Sequence, residues 1–212
     1  AKTYNNYWFE ITNLNRNFTV SCKKNFITAL LYQKPGSSVL HVSSQTHSAS
    51  AGDSITETVN SFCFATTSSC DYEGTLWAAL ALVKNNEDVA PYMPYLSAMS
   101  EEALNKKYLP QAFLFMLTNE DDYFSELTKQ QLQGKEGKYW DSSGRKLFDT
   151  SLAVLSIQNT NSPELDDAKT YFLSVQEKSG DKVGCWNDNT AFILYSAWPK
   201  EATKTTTSSG TD

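Results

Sequence analysis

His41 and His47 are the two imidazoles of the chain, and they stand among serines (Ser43, Ser44, Ser48) with Asp53 downstream. A serine nucleophile, an imidazole base and a carboxylate to orient it make up the constellation of acyl transfer. No G-x-S-x-G turn frames any of these serines, and a Ser-rich stretch supplies such neighbours by chance, so no catalytic residue is assigned to them. A second chemistry needs paired carboxylates. Asp71, Glu73, Asp141, Asp149 and Asp188 all fall at expected helix starts. Two such groups about 5–9 Å apart would suit acid–base cleavage of a glycoside. Their simpler role is to cap helices and meet the positive ends of helix dipoles, and that is the role expected. Trp77, Trp140, Trp186 and Trp198 flank the same helices; stacking on sugar rings is open to them, and wedging between helical hairpins is the expected use. The glycines are scattered, without a phosphate-cradling loop, so no cofactor is expected.

The four cysteines, Cys22, Cys63, Cys70 and Cys185, include no C-x-x-C pair. They read poorly as a zinc site and better as two disulfides, for which three connectivities exist. The pairing carried forward is Cys22 with Cys63, across the two faces of a β unit, and Cys70 with Cys185, from the first inner helix to the last turn. Disulfides imply an oxidising, extracellular setting. Abundant Ser, Thr, Asn and Tyr agree, as does the acceptor triplet Asn17-Phe18-Thr19, which makes Asn17 a glycosylation candidate. A formal net charge of −6 without clustered Lys or Arg argues against nucleic acid as a partner. No apolar run approaches the ~20 residues of a membrane-spanning helix; the longest, Thr75 to Val83, is far shorter.

The elements that must position these residues change character along the chain. Up to about residue 66 the pattern is of short strands: Phe18 to Cys22, Phe26 to Tyr32, Val39 to Val42 and Ile55 to Phe64, separated by a Pro35-Gly36 turn and a Ser-rich loop from Ser43 to Gly52. Together these predict a small antiparallel β-sandwich-like unit over 1–66. Ahead of them, Lys2 to Glu10 carries Tyr4, Tyr7, Trp8 and Phe9. Such a segment suits adding a strand to a neighbouring copy, although pairing within its own sandwich is the expected arrangement. From 67 to 199 helical spacing takes over. Helices are expected near Leu76 to Val83, Val89 to Met99, Glu101 to Tyr108, Gln111 to Leu117, Glu120 to Leu132, Thr150 to Ile157 (capped by Asp149), Pro163 to Gln176 and Thr190 to Trp198. Apolar and charged helices alternate, which implies inner helices covered by outer ones. Residues 200–212, Lys/Thr/Ser/Gly-rich, read as a linker or tail. The fold class expected is α+β: a β unit followed by an array of helical hairpins.

The array repeats. Asp149-Thr150-Ser151-Leu152-Ala153-Val154-Leu155 lies over Asn189-Thr190-Ala191-Phe192-Ile193-Leu194-Tyr195 at an offset of about 40 residues. Trp140-Asp141 and Trp186-Asn187 precede these helices, each after a Gly turn (Gly137, Gly184), and Glu73-Gly74-Thr75-Leu76-Trp77 is a looser copy. A glutamine-ended outer helix, a Gly turn, an aromatic residue and an Asp/Thr-capped inner helix, best seen from Ala168 to Ala197 through Gln176, Gly184, Trp186 and Thr190, resemble the repeat of the α/α-toroid superfamily of terpenoid cyclases and protein prenyltransferases. The β preface, with Cys70-Asp71-Tyr72-Glu73 and Gly184-Cys185-Trp186, is similar to the non-catalytic prenyltransferase-like modules of archaeal secreted or cell-surface proteins.

That resemblance implies a partial toroid without the superfamily's chemistry. The acidic Asp-x-Asp-Asp of cyclases is reduced to Asp166-Asp167 on an outer helix face. The zinc ligands of prenyltransferases are missing, because both histidines lie in the β preface, away from Cys185, and no metal is expected. Gly184-Cys185-Trp186-Asn187 does not match a thioester Cys-Gly-Glu-Gln. The expected function is a non-enzymatic extracellular structural module of a cell-surface assembly or filament, with an adhesive role in view. Its partners would be copies of itself or other surface-protein modules. The alternative is a carbohydrate-active enzyme or glycan-binding domain on the same scaffold.

Overall fold

The computed structural model describes residues 2–4, 8–11, 15–33, 38, 40–180, 182–186 and 189–200. Tyr7, the Pro35-Gly36 turn, Asp188 and the tail from residue 201 lie outside the described residues. The chain is mixed α+β and divides into two compact units, Ala1–Glu120 and Asp121–Asp212. The change from strands to helices near residue 66 falls inside the first unit.

The first unit begins with β1 (Lys2–Tyr4) and β2 (Trp8–Glu10), an antiparallel ribbon that pairs Tyr4 with Trp8. Residues 2–4 and 8–10 thus pair with each other within the chain, and Trp8 and Phe9 are exposed. Next come β3 (Arg16–Ser21), β4 (Phe26–Tyr32), β5 (His41–Ala49) and β6 (Ser54–Val59). β3 pairs with β6 from Arg16↔Val59 to Ser21↔Ser54, and β4 with β5 from Phe26↔Ala49 to Tyr32↔His41. The strands therefore pair two by two in small antiparallel sheets. β6 alternates, with Ile55, Glu57 and Val59 buried and Ser54, Thr56 and Thr58 exposed, as a half-buried strand must. The Ser-rich stretch expected to be a loop from Ser43 is instead strand as far as Ala49. Its polar side chains tolerate this because the ladder to β4 satisfies the backbone while one side stays wet.

A small hairpin follows, β7 (Ala65–Thr66) and β8 (Ser69–Cys70). It corrects the disulfide expectation. Cys63 is bonded to Cys70, with Cα atoms 5.6 Å apart, inside the usual range. Cys22 and Cys185 are free and exposed. The tight hairpin brings Cys70 back beside Cys63 within seven residues of chain, which leaves neither for a distant partner.

Three α-helices complete the unit: α1 (Tyr72–Lys84), α2 (Met93–Met99) and α3 (Pro110–Thr118), with 3-10 turns at Ala90–Tyr92 and Ala103–Tyr108. Asp71 caps α1, its carboxylate accepting from the Gly74 N–H at 3.0 Å. α2 and α3 open on Pro94 and Pro110, where the missing N–H costs nothing. α1 packs against α3, with Trp77 edge-on to Phe113 at 4.8 Å.

The second unit holds α4 (Asp121–Lys129), the ribbon β9 (Leu132–Gln133) with β10 (Lys138–Tyr139), α5 (Lys146–Ile157), α6 (Pro163–Val175), the ribbon β11 (Lys178–Ser179) with β12 (Lys182–Val183), and α7 (Thr190–Ala197). α5 starts at Lys146 rather than after Asp149. Asp149 is buried in the first turn and looks back along the chain, accepting from the Ser143 N–H and Oγ, both at 2.7 Å. α6 keeps Leu165, Ala168, Tyr171 and Phe172 inward behind a Ser162 cap. Gly137, at φ 131°, lets the β9–β10 turn lie on α6; a side chain there would meet the Tyr171 backbone at 3.3 Å.

One hydrogen-bond pattern recurs. Thr150 Oγ1 accepts from the Trp140 N–H at 3.0 Å and donates to the Trp140 carbonyl at 3.2 Å. Thr190 does the same for Trp186, at 3.1 and 2.7 Å. Each indole N–H then reaches back to the end of the preceding helix: Trp140 to the Leu127 carbonyl of α4 and Trp186 to the Phe172 carbonyl of α6, both at 2.8 Å. In the looser copy Thr75 Oγ1 accepts from the Phe64 N–H at 3.0 Å but donates to the Asp71 carbonyl at 2.5 Å, with the Phe64 carbonyl only at 3.4 Å, and Phe has no ring N–H for the third bond. Thr75 and Thr150 are fully buried.

Removing the Thr150 hydroxyl leaves buried backbone groups unpaired, at about 1–3 kcal/mol. Thr150→Val should therefore lower unfolding stability by that amount in a denaturant titration. For the disulfide, non-reducing peptide mapping should recover a Cys63–Cys70 link, with Cys22 and Cys185 open to alkylation. Replacing both bridged cysteines by serine should cost about 2.5 kcal/mol, the chain-entropy value for so short a loop.

Candidate functional site

In the first unit the two ribbons β3–β6 and β4–β5 meet across a buried carboxylate. Glu57 faces inward on β6, only 7% exposed, between Ile55 and Val59. A charge in such a row must find partners. Thr28 and His47 stand opposite each other on β4 and β5, and both turn to Glu57 Oε1. Thr28 donates its hydroxyl to that oxygen, and His47 Nδ1 lies 2.9 Å from it. Burial pushes the Glu57 carboxyl up; the hydrogen bonds from Thr28 and His47, with the charge of His47, outweigh that and hold it below its ordinary 4.5. Tyr32 is raised, first by burial and then by the Glu57 charge. Glu57 is therefore the anionic centre of this unit.

Beside it lies a cavity of about 340 Å³ whose walls include Tyr32, His41, Glu57, Thr58, Met93 and Ser97. His41 pairs across the ladder with Tyr32, and its Nε2 is buried without a hydrogen-bond partner. The carboxylate that meets His47 is Glu57; Asp53, downstream in sequence, is exposed. A carboxylate on Nδ1 orients an imidazole so that Nε2 faces outward, the geometry of a positioned base. The arrangement also offers acceptors and a free ring nitrogen to a polar ligand.

The other expected residues are placed separately. Asp71 and Glu73 stand at the start of α1 in the first unit, Asp141 and Asp149 in the second, and Asp188 outside the described residues. Asp71 and Asp149 are engaged by their own chain, at Gly74 and Ser143. Trp140 and Trp186 are buried; Trp77 and Trp198 are partly exposed, Trp198 stacked on Trp186 at 6.2 Å. Asp167 pairs with Lys138 at 2.6 Å on the surface, beside exposed Asp166. Asn17 is exposed on β3, its Oδ1 accepting from Thr58 at 2.9 Å. Among the described residues no group of three or more His, Cys, Asp or Glu side chains is arranged to hold a metal ion, and no helix is long and apolar enough to cross a membrane.

Glu57, Thr28 and Tyr32 were not among the residues singled out from sequence. The available signal was parity: Ile55, Glu57 and Val59 share one face of β6, and a charge in an apolar row is unusual. Compared with protein-family models, with curated proteins and with solved structures, the chain matches none.

Because Glu57 is held below its ordinary value, its contribution is present in full above pH 4.5 and is lost as pH falls below 4.5 through its folded-state value. Acid titration of stability should show that loss in wild type. Glu57→Gln should remove its share of the slope and lower stability at neutral pH.

Proposed function

We propose that the chain is a non-enzymatic structural module of an extracellular or cell-surface assembly. The observation that carries this is the use to which its polar side chains are put. Glu57, Thr28 and His47 tie two ribbons together, Asp71 caps α1 and Asp149 holds the loop before α5, and Thr150 and Thr190 close on aromatic residues. Groups engaged in this way hold a fold in register and are poorly placed to turn over a substrate. The Cys63–Cys70 bond favours an oxidising compartment, which agrees with an extracellular site. The matching Trp140–Thr150 and Trp186–Thr190 clamps support reading the helices as a partial α/α toroid, of the kind in prenyltransferase-like modules of archaeal surface proteins.

A second reading, glycan binding, is favoured by one observation. The cavity beside Glu57 contains His41 Nε2 with no partner, and a sugar hydroxyl would satisfy it.

A hydrolysis screen and a glycan array on the purified chain test both. The expected result is no turnover above that of Glu57→Gln and no glycan retained. Hydrolysis abolished by Glu57→Gln would overturn the structural reading. A retained glycan released by His41→Ala would establish the second.

A further inference from the structure

The cavity beside Glu57 lies wholly within the first unit, and its volume of about 340 Å³ suits a small organic molecule. Its charge is one-sided. Glu57, Asp88 and Glu120 line it, and among the described residues no Lys or Arg does. An anionic ligand would enter against three carboxylates. Asp88 and Glu120 are exposed, at the solvent side of the cavity, whereas Glu57 is only 7% exposed.

Glu57 is half used. Thr28 and His47 both bond Oε1, and among the described residues Oε2 has no hydrogen-bond donor. A carboxylate accepts at both oxygens and donates at neither, so Oε2 calls for a donor that the chain does not provide. His41 adds a second open position, since its Nε2 is buried without a partner. With the ring proton on Nδ1, that nitrogen accepts. Tyr32 stands opposite His41 in the β4–β5 ladder. Burial and then the Glu57 charge raise its phenol, which therefore stays protonated and keeps an oxygen that accepts. Carboxylate, imidazole and phenol thus bring acceptors to one cavity.

Among the described residues no group of three or more His, Cys, Asp or Glu side chains is arranged to hold a metal ion, which leaves a cation held by hydrogen bonds. A primary ammonium has three donors and no acceptor, and its charge meets a carboxylate that is already desolvated. The apolar wall at Pro91 and Met93 suits the carbon atoms behind it.

We propose that this cavity binds a primary ammonium group carried on a small organic molecule, with Glu57 Oε2 as its counter-charge and His41 and Tyr32 as further acceptors. The proposal uses the cavity of the glycan reading but needs no sugar, and it is independent of the assembly reading. Such a group comes on aliphatic amines, a lysine side chain among them, and on amino sugars. A neutral hydroxyl brings one donor where an ammonium brings three, so charge rather than ring shape selects the ligand.

Titrations of the full chain with n-butylamine, n-butanol, glucosamine and N-acetylglucosamine, followed by NMR at the side chains of Tyr32, His41 and Met93, test this. Each pair keeps the framework and removes the charge. The expected result is that at least one amine shifts these signals, with its neutral partner at least about tenfold weaker. Tighter glucosamine assigns the amino-sugar source, and tighter butylamine the aliphatic one. Glu57→Gln should weaken amine binding at least about tenfold, its fold checked by circular dichroism. Because that change also loosens the ribbons, Tyr32→Phe is the second variant; it keeps the ring, removes the acceptor and should weaken binding about two- to tenfold. Charged and neutral partners bound alike would overturn the proposal. N-acetylglucosamine bound as well as glucosamine would do so while leaving the glycan reading standing. Amines that shift none of the signals, or binding indifferent to both folded variants, would overturn it too.

Discussion

A threonine hydroxyl closing on the backbone of an aromatic residue is the contact on which the helices of the second unit depend. A chain leaving a ribbon and entering the core carries one N–H and one C=O with no ladder partner, and buried backbone groups must be paired. A hydroxyl is both donor and acceptor, so Thr150 and Thr190 each satisfy both groups of one residue. The β-branch restricts the side chain to few rotamers, which makes the closure stiff. The indoles of Trp140 and Trp186 then fasten the end of the preceding helix. The preceding helix, the ribbon and the helix that follows are thus held at one point, and α5 buries Asp149 to Val154 and Ile157 just beyond it.

The β ribbons meet a different constraint with a charge. A two-stranded ribbon has one ladder and little area, so its register is weakly specified. Glu57 changes that. A one-residue slip of β6 would carry the carboxylate to the solvent face and leave Thr28 and His47 without their acceptor. Removing a partner from the buried carboxylate is costly, because it leaves a desolvated charge short of a hydrogen bond. The arrangement therefore contributes specificity, consistent with an ordered β unit built from exposed, Ser- and Thr-rich strands.

Much of the array was legible in the sequence because it rests on spacing. The helical periods of α1, α3, α6 and α7 and the Trp and Thr anchors are local signals, and the looser third copy is loose for a visible reason, Phe64 in place of Trp. Other elements were hidden for physical reasons. α5 opens on Arg145 with no side-chain cap, while Asp149 resembles a cap but serves the preceding loop. β5 is polar and stays strand through its ladder to β4, which no period in its own residues reveals. The β7–β8 hairpin is too short for periodicity, so the closeness of Cys63 and Cys70 depends on a turn rather than on a pattern. Glu57 was visible only once parity along β6 was weighed above its charge. Its partners Thr28 and His47 come from another ribbon, and that pairing is tertiary.

The two matching clamps also show where this architecture tolerates change. Ten residues separate Trp140 from Thr150 and four separate Trp186 from Thr190, yet the three hydrogen bonds are the same. Closing the longer connection costs only about 0.8 kcal/mol more in loop entropy. In the longer case the extra chain is fastened by Asp149 to Ser143. In the shorter one Asn189, at φ 62°, turns directly into the helix, a conformation asparagine accepts more readily than most residues. Loops at this end of the hairpins can lengthen or change composition while the helices behind them stay fixed. In the second unit such loops can change their surface character while the buried faces of α5 and α7 stay apolar through packing.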